Sequence, residues 1–266
     1  MKRDLLRRFA YIETCLYWGG GVTAGQLGQT FGITRQNAQA SIEAYRQQYP
    51  HNMVYNRSTK RHEAQAESHP HCINREPRYY LNYLRGNSLT NHFWEDEDWG
   101  ILPIEDGDAL YRPHLDAKAV RFVVEAIQTK RPLELYYHSK QSGDENLIIA
   151  PHHLVYTSKR YHLRAYCYSK NKFIDLVLSR IVDADFAHQE WVSSEEDEEW
   201  HNYIELHFKP NPDLPETLKR TLLLDFRLEK GVYTIKARKA LKDYIERDML
   251  QLDWQLKIPL WLPVES

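Results

Sequence analysis

Thr23-Ala-Gly-Gln-Leu-Gly-Gln-Thr-Phe-Gly32-Ile33-Thr34-Arg-Gln-Asn-Ala-Gln-Ala-Ser-Ile-Glu-Ala-Tyr45 holds two short helical patterns separated by one tight turn. Thr23 can cap the first, which contains Leu27 and closes at Phe31-Gly32. Thr34 can cap the second, which runs to about Tyr49, ahead of Pro50, because a hydroxyl side chain at a helix start accepts an otherwise orphaned backbone N–H. In the second helix Ala38, Ile42, Tyr45 and Tyr49 recur on one face. That leaves Gln36, Ala40, Glu43 and Gln47 opposite, flanked by Asn37 and Gln39. One face is apolar enough for a core, and the other is polar and short-chained near the helix start.

Upstream, Leu5, Phe9, Ile12 and Leu16 recur at helical spacing until Gly19-Gly20-Gly21 ends the pattern. Downstream, Asn52 to Tyr55 reads as a short strand, Asn56 to Arg61 as a basic turn, and His62 to Gln65 as the return. Helix, helix, turn, helix, hairpin is the order of a winged helix-turn-helix, which places the start of its recognition helix in the major groove and a basic wing along phosphates. Arg35, Gln36, Asn37 and Gln39 suit base edges, since Arg reads guanine and Asn or Gln reads adenine bidentately. Thr34 suits a phosphate. Arg57, Lys60 and Arg61 are the expected wing contacts, against the ordinary reading of a solvated hairpin tip.

Charge supports this placement. The chain of 266 residues carries a net charge of -2, yet residues 1–65 sum to +5 and the rest to -7. A basic head on an acidic body suits a module that neutralises phosphates only where it touches them.

The remainder divides by periodicity. Residues 67–114 read as a connector, with one helix at Arg78 to Arg85 and the acidic run Glu95-Asp96-Glu97-Asp98. Leu115 to Thr129 is amphipathic, with Asp116 as its cap and Pro132 as its stop. The period then falls to two over Leu133 to His138, Leu147 to Ala150, His153 to Thr157, Arg160 to Tyr166 and Phe173 to Leu178, which predicts five strands and a small barrel. A second acidic run, Glu195 to Glu199, precedes a strand at Tyr203 to Lys209, a helix at Pro215 to Leu222, a strand at Gly231 to Ala237 and a helix at Ala240 to Leu250. The fold class expected is α+β multidomain: a winged helix at 1–66, a connector at 67–114, a barrel with its leading helix at 115–192 and a small α+β domain at 193–266.

Three stretches go beyond pattern: Ala150-Pro-His-His-Leu-Val155, Lys159-Arg-Tyr-His-Leu-Arg-Ala-Tyr-Cys167 and Lys172-Phe-Ile-Asp-Leu-Val-Leu-Ser-Arg-Ile181. They resemble the WYL-domain regulators, in the branch of winged-helix repressors that control bacterial phage-defence operons of the BREX and CBASS kinds. The Trp-Tyr-Leu of the family name falls at Tyr161-His162-Leu163, where two of the three residues differ. The resemblance extends to Leu206-His-Phe-Lys-Pro-Asn-Pro212 and Ala240-Leu-Lys-Asp-Tyr244. It implies an Sm-like/SH3-like five-stranded β-barrel that senses a nucleotide or nucleic-acid ligand. Onto this sequence it carries Tyr137, Ser139, His152, His162, Arg164 and Arg180 as ligand-binding positions.

Strand geometry agrees in part, because His162 and Arg164 are two apart and share a face. Arg164 and Arg180 could grip a phosphate, with Tyr137 or His162 stacked on a base. A structural reading stands beside each: Arg180 could pair with Asp175 or Asp183, and His152-His153 could be a packed, hydrogen-bonded pair.

Other function classes find little support. No window approaches 18 consecutive apolar residues, and the N-terminus lacks a signal-peptide core, which predicts a cytoplasmic protein without membrane contact. Cys15, Cys72 and Cys167 are far apart and form no C-x-x-C pair. His69-Pro-His71-Cys72 lacks a second cluster at metal spacing. With no phosphate-loop glycines and no G-x-S-x-G elbow, neither catalytic residues, metal nor cofactor are expected. The expected function is a homodimeric DNA-binding repressor, holding double-stranded operator DNA and relieved by a nucleotide or nucleic-acid effector. A transcriptional activator of the same architecture is the first alternative, and a nucleic-acid-processing enzyme the second.

Overall fold

Three helices form because their apolar residues meet at helical spacing and their ends are capped. The computed structural model describes residues 3–84, 113–228 and 230–264. Helix α1 is Arg3–Trp18, α2 is Ala24–Phe31 and α3 is Arg35–Gln48. Thr23 caps α2 in a capping box with Gln26, and Gly32 ends it at φ 61°, a left-handed conformation that costs glycine little. Thr34 caps α3 by accepting from Asn37 N. Phe9, Ile12, Leu27, Ala38, Ile42 and Tyr45 are almost fully buried where the three helices meet. Each large apolar side chain among them contributes about 1.5–3 kcal/mol.

Strands β1 (Met53–Asn56) and β2 (Arg61–Ala64) pair antiparallel as the wing. Gly21, at φ 129°, lets the wing approach: a Cβ there would lie 2.7 Å from the His62 carbonyl oxygen. The chain leaves through α4 (Pro77–Leu84), which starts one residue before the predicted Arg78, while the predicted end at Arg85 lies outside the described residues. The run Glu95-Asp96-Glu97-Asp98 lies outside the described residues.

Helix α5 (Ala117–Thr129) is capped by Asp116 as expected, but it ends at the left-handed Lys130, two residues ahead of Pro132. It packs on a five-stranded sheet: β3 (Leu133–Ser139), β4 (Gly143–Thr157), β5 (Arg160–Cys167), β6 (Lys172–Val177) and β7 (Ile181–Phe186). The order is β6-β5-β4-β3-β7, a meander whose last strand returns beside its first. A 3₁₀ turn, Leu178–Arg180, joins β6 to β7.

The number of strands matches the sequence reading, and the predicted Leu133 to His138, Arg160 to Tyr166 and Phe173 to Leu178 are β3, β5 and β6, but the other two differ. Leu147 to Ala150 and His153 to Thr157 are one strand, β4, and Ile181–Phe186 is a strand that the reading missed. Ile149 to His152 are buried in succession, which breaks the period of two and makes one strand read as two. Ladder pairing with β3 ends at Ile149, so Pro151 withholds no N–H from that ladder.

The chain separates into two compact units, residues 1–155 with 160–191, and residues 156–159 with 192–266. In the second, β10 (Trp261–Pro263), β8 (Tyr203–Pro210) and β9 (Tyr233–Arg238) form a sheet in the order β10-β8-β9. Helices α6 (Glu198–His201), α7 (Glu216–Phe226) and α8 (Lys242–Met249) accompany it. Leu206, Phe208, Leu214, Leu222 and Trp261 form its core. The acidic run at 195–199 is only partly a solvated surface. Asp197 is 1% exposed and caps α6 by accepting from Trp200 N.

Candidate nucleic-acid interface and sensor face

Capping fixes the start of α3, and packing fixes its roll. With Ala38, Ser41, Ile42 and Tyr45 buried, Thr34, Arg35, Gln36, Asn37 and Gln39 are all exposed. In the wing, Arg57 and Lys60 are exposed and Arg61 is half-buried. None of these three has a salt-bridge partner among the described residues. The tip is shaped by Asn56, whose Oδ1 accepts from Ser58 N at 2.9 Å, while its Nδ2 donates to Glu63 at 2.8 Å. The predicted DNA-contact residues thus form two groups, one on α3 and one on the wing, exposed throughout except for the half-buried Arg61.

Beneath them lies a buried polar cluster that the sequence reading missed. Glu13 of α1 is 1% exposed. It accepts from His71 N at 2.9 Å, Cys72 N at 2.5 Å and the Tyr45 hydroxyl at 2.9 Å. Asn52 Nδ2 donates to Tyr45 Oη at 2.9 Å and to the His69 carbonyl at 2.8 Å. Tyr49 stacks on His71 with ring centroids 4.6 Å apart. His69-Pro-His71-Cys72 therefore offers its backbone to a carboxylate, and the segment leaving the wing is tied to the recognition helix. Burial raises the Glu13 pKa against the pull of these donors, and pushes the Cys72 thiol up to about 12. The available signal was a lone acid four residues after Phe9, on the core face of α1.

On the barrel, β5 and β6 pair His162 with Val177, Arg164 with Asp175 and Tyr166 with Phe173. Alternation puts all six on one face, so His162 and Arg164 come together as expected. Arg164 sits 3.5 Å from Asp175, with side chains 5% and 16% exposed. The partner considered for Arg180 thus belongs to Arg164, and Asp183 pairs with Lys118 at 2.6 Å. Arg180 itself is half-buried, with no ion-pair partner among the described residues.

His152 is 7% exposed, bonds His153 through their Nδ1 atoms and packs edge-on against Phe173 at 5.5 Å. The packed pair is what the fold contains. Tyr137 is 5% exposed and its hydroxyl accepts from Val177 N at 3.1 Å, joining β3 to the end of β6. Ser139 accepts from Gln141 N and Ser142 N, both at 3.3 Å, within its own turn. Tyr166 and Phe173, with ring centroids 5.3 Å apart, add aromatic surface that the reading overlooked. Register across two strands was needed to see it.

Family models match three consecutive segments: a BrxR transcriptional regulator winged helix-turn-helix domain over residues 4–86, a WYL domain over 118–186, and a BrxR transcriptional regulator C-terminal dimerization domain over 203–255. The chain belongs to the WYL-domain transcriptional regulators, in their BrxR-like branch. Relatives of this regulator include proteins named DNA-binding transcriptional repressor CapW. Those of Escherichia coli (strain KTE188) and Pseudomonas aeruginosa are each 26% identical over 242 residues, covering 90% of this chain and 80% of theirs. That of Stenotrophomonas maltophilia is 25% identical over 256 residues, covering 91% and 82%. Among solved structures, the proteasome accessory factor B/C (PafBC) of Arthrobacter aurescens aligns with 99% of the regulator and 46% of its own chain. At 14% identity and a TM-score of 0.25, that likeness bears no weight. Among the described residues of the regulator no helix is long and apolar enough to cross a membrane.

Proposed function

We propose that this regulator is a cytoplasmic, homodimeric repressor of a phage-defence operon, without enzymatic activity, that holds a two-fold operator and releases it when a nucleotide or nucleic-acid effector occupies the barrel. The observation that carries the reading is the exposed, capped first turn of α3 together with a basic wing whose cations have no ion-pair partner among the described residues. Thr34, Arg35, Gln36, Asn37 and Gln39 meet the major groove, and Arg57, Lys60 and Arg61 meet phosphates. The relatives named as repressors support the sign of the response, and the match to a dimerization domain supports two-fold binding.

The effector site centres on His162, Arg164 and Arg180, with Tyr166 and Phe173 as stacking surface and His152, Tyr137 and Ser139 as positioning groups. Arg164 already faces Asp175, so an incoming phosphate takes over the place of that carboxylate. A route to the DNA-binding half begins at the same strand. The Tyr161 hydroxyl donates to Asn82 Oδ1 of α4 at 2.8 Å. Tyr80 of that helix stacks on Trp18 of α1, with ring centroids 4.9 Å apart and planes 3° from parallel. For release, the effector must bind the free form more tightly than the DNA-bound form.

A salt-titrated gel shift with the upstream promoter fragment tests the repressor. A specific complex whose log affinity falls linearly with log salt is expected, and its absence overturns the reading. Adding mononucleotides or single-stranded oligonucleotides to that complex tests the effector: release is expected, and Arg180→Ala should abolish it with operator affinity unchanged. A reporter in a deletion strain should show raised expression; lowered expression would mean an activator.

A further inference from the structure

Between α8 and β10 the chain turns a run of apolar side chains outward. Leu250, Leu252, Trp254 and Leu256 are 36%, 58%, 75% and 39% exposed. The loop is nonetheless tightly bonded. Asp253 Oδ1 accepts from Gln255 N and Leu256 N at 2.9 and 2.8 Å. Asp253 N donates to the Ile258 carbonyl and Lys257 N to the Asp253 carbonyl, both at 2.9 Å. Leu252 forms a bridge with Pro259. Trp254 is therefore held in water by a fixed backbone.

An aromatic side chain presented in this way is preorganised for association. It loses little conformational freedom on binding, and exposed apolar clusters on soluble proteins mark contact surfaces. Next to it, Leu250 and Leu252 line an open concavity of about 940 Å³ within the second unit. Across its floor Arg247 donates to the Ser158 hydroxyl at 3.2 Å, and that hydroxyl donates to Asp248 at 2.8 Å. A projecting ring and a hollow thus lie within four residues of one another.

We propose that Trp254 is the central anchor of the contact between two copies of this chain, seated in the hollow that Leu250 and Leu252 line on the partner copy. The inference rests on the homodimer reading above and names the surface that makes the dimer. Two observations select a second copy as the occupant. The loop lies at the end of the segment, residues 203–255, that matches a dimerization domain. A two-fold contact also needs projection and hollow on the same patch, since each copy supplies both.

Analytical ultracentrifugation of the full chain, as wild type, Trp254→Ala and Leu252→Asp, tests it, with far-UV circular dichroism and thermal melting as controls for folding. Both side chains are largely exposed, so spectra and melting of the dissociated chain should be unchanged. Trp254→Ala should raise the dimer dissociation constant at least about thirtyfold, the effect of a 2 kcal/mol anchor, and Leu252→Asp should do the same by replacing one of the two apolar side chains that line the hollow with a charge. If the wild type dimerises and both variants do so with equal affinity, the surface is wrong and the homodimer reading stands. If the wild type is monomeric at every concentration, the homodimer reading falls and this inference falls with it.

Discussion

The winged helix and the barrel handle charge in opposite ways. In the winged helix the polar side chains of α3 and the cations of the wing face water, and the buried charge, Glu13, is bonded to backbone. On the barrel face the cation is the buried group, neutralised by Asp175 across the strand pair. The first arrangement suits steady attraction to a polyanion. The second suits an exchange, since an anionic effector must compete with a carboxylate already in place. An internal competitor lowers affinity and makes occupancy conditional, as the proposed sensor role would require.

The sharpest test of this contrast is the barrel pair. Arg164→Ala takes from the partly exposed Asp175 the cation 3.5 Å away and should cost about 1.5–3 kcal/mol in urea unfolding, while the double variant Arg164→Ala, Asp175→Ala should recover much of it. Equal losses in single and double variants would mean that the pair does not act as a unit.

In the winged helix, Glu13→Gln replaces an acceptor-only group with one that points an amide N–H at backbone donors, at a cost of about 1–3 kcal/mol. The pH dependence gives a second readout. Burial raises the folded-state pKa of Glu13 above its ordinary 4.5, so its contribution to stability is fully present below the unfolded value and is lost as pH rises through the folded one. Relative to Glu13→Gln, the wild type should gain stability as pH falls through that window. A flat difference would sink the assignment.

Asn37→Ala should cost about 1–3 kcal/mol of operator binding if it reads a base bidentately, with no change in melting, because the side chain is exposed. Loss of both affinity and stability would mean a structural role. The smallest expected effect is Tyr161→Phe, which removes one hydrogen bond to Asn82 and should cost about 0.5–1.5 kcal/mol. Its sharper consequence is weaker effector-driven release with operator affinity preserved. Unchanged release would break the proposed route between β5 and α4.

Legibility followed the range of the interactions. Thr23, Thr34 and Asp116 cap the helices they were expected to cap, because a cap bonds within three residues of itself. The polar face of α3 followed from periodicity alone. The merging of two predicted strands into β4 did not, because Ile149 to His152 are buried in succession and the period of two is lost there. Nor did β7, whose pairing with β3 spans more than forty residues. The same limit hid the partner of Arg164: Asp175 stood in the quoted motif, but only register across β5 and β6 put it opposite.

The sequence by itself determined the order of the elements in the winged helix, the basic head, the recognition-helix face and the motif around Tyr161-His162-Leu163, because each is written in neighbours and short periods. Only the tertiary structure decided which charges are spoken for. Glu13 meets backbone at positions 71 and 72, Arg164 meets Asp175, and Arg180 has no ion-pair partner among the described residues. Whether a charged side chain is available to a ligand depends on what lies across from it in space, and for these groups that neighbour is distant in the chain.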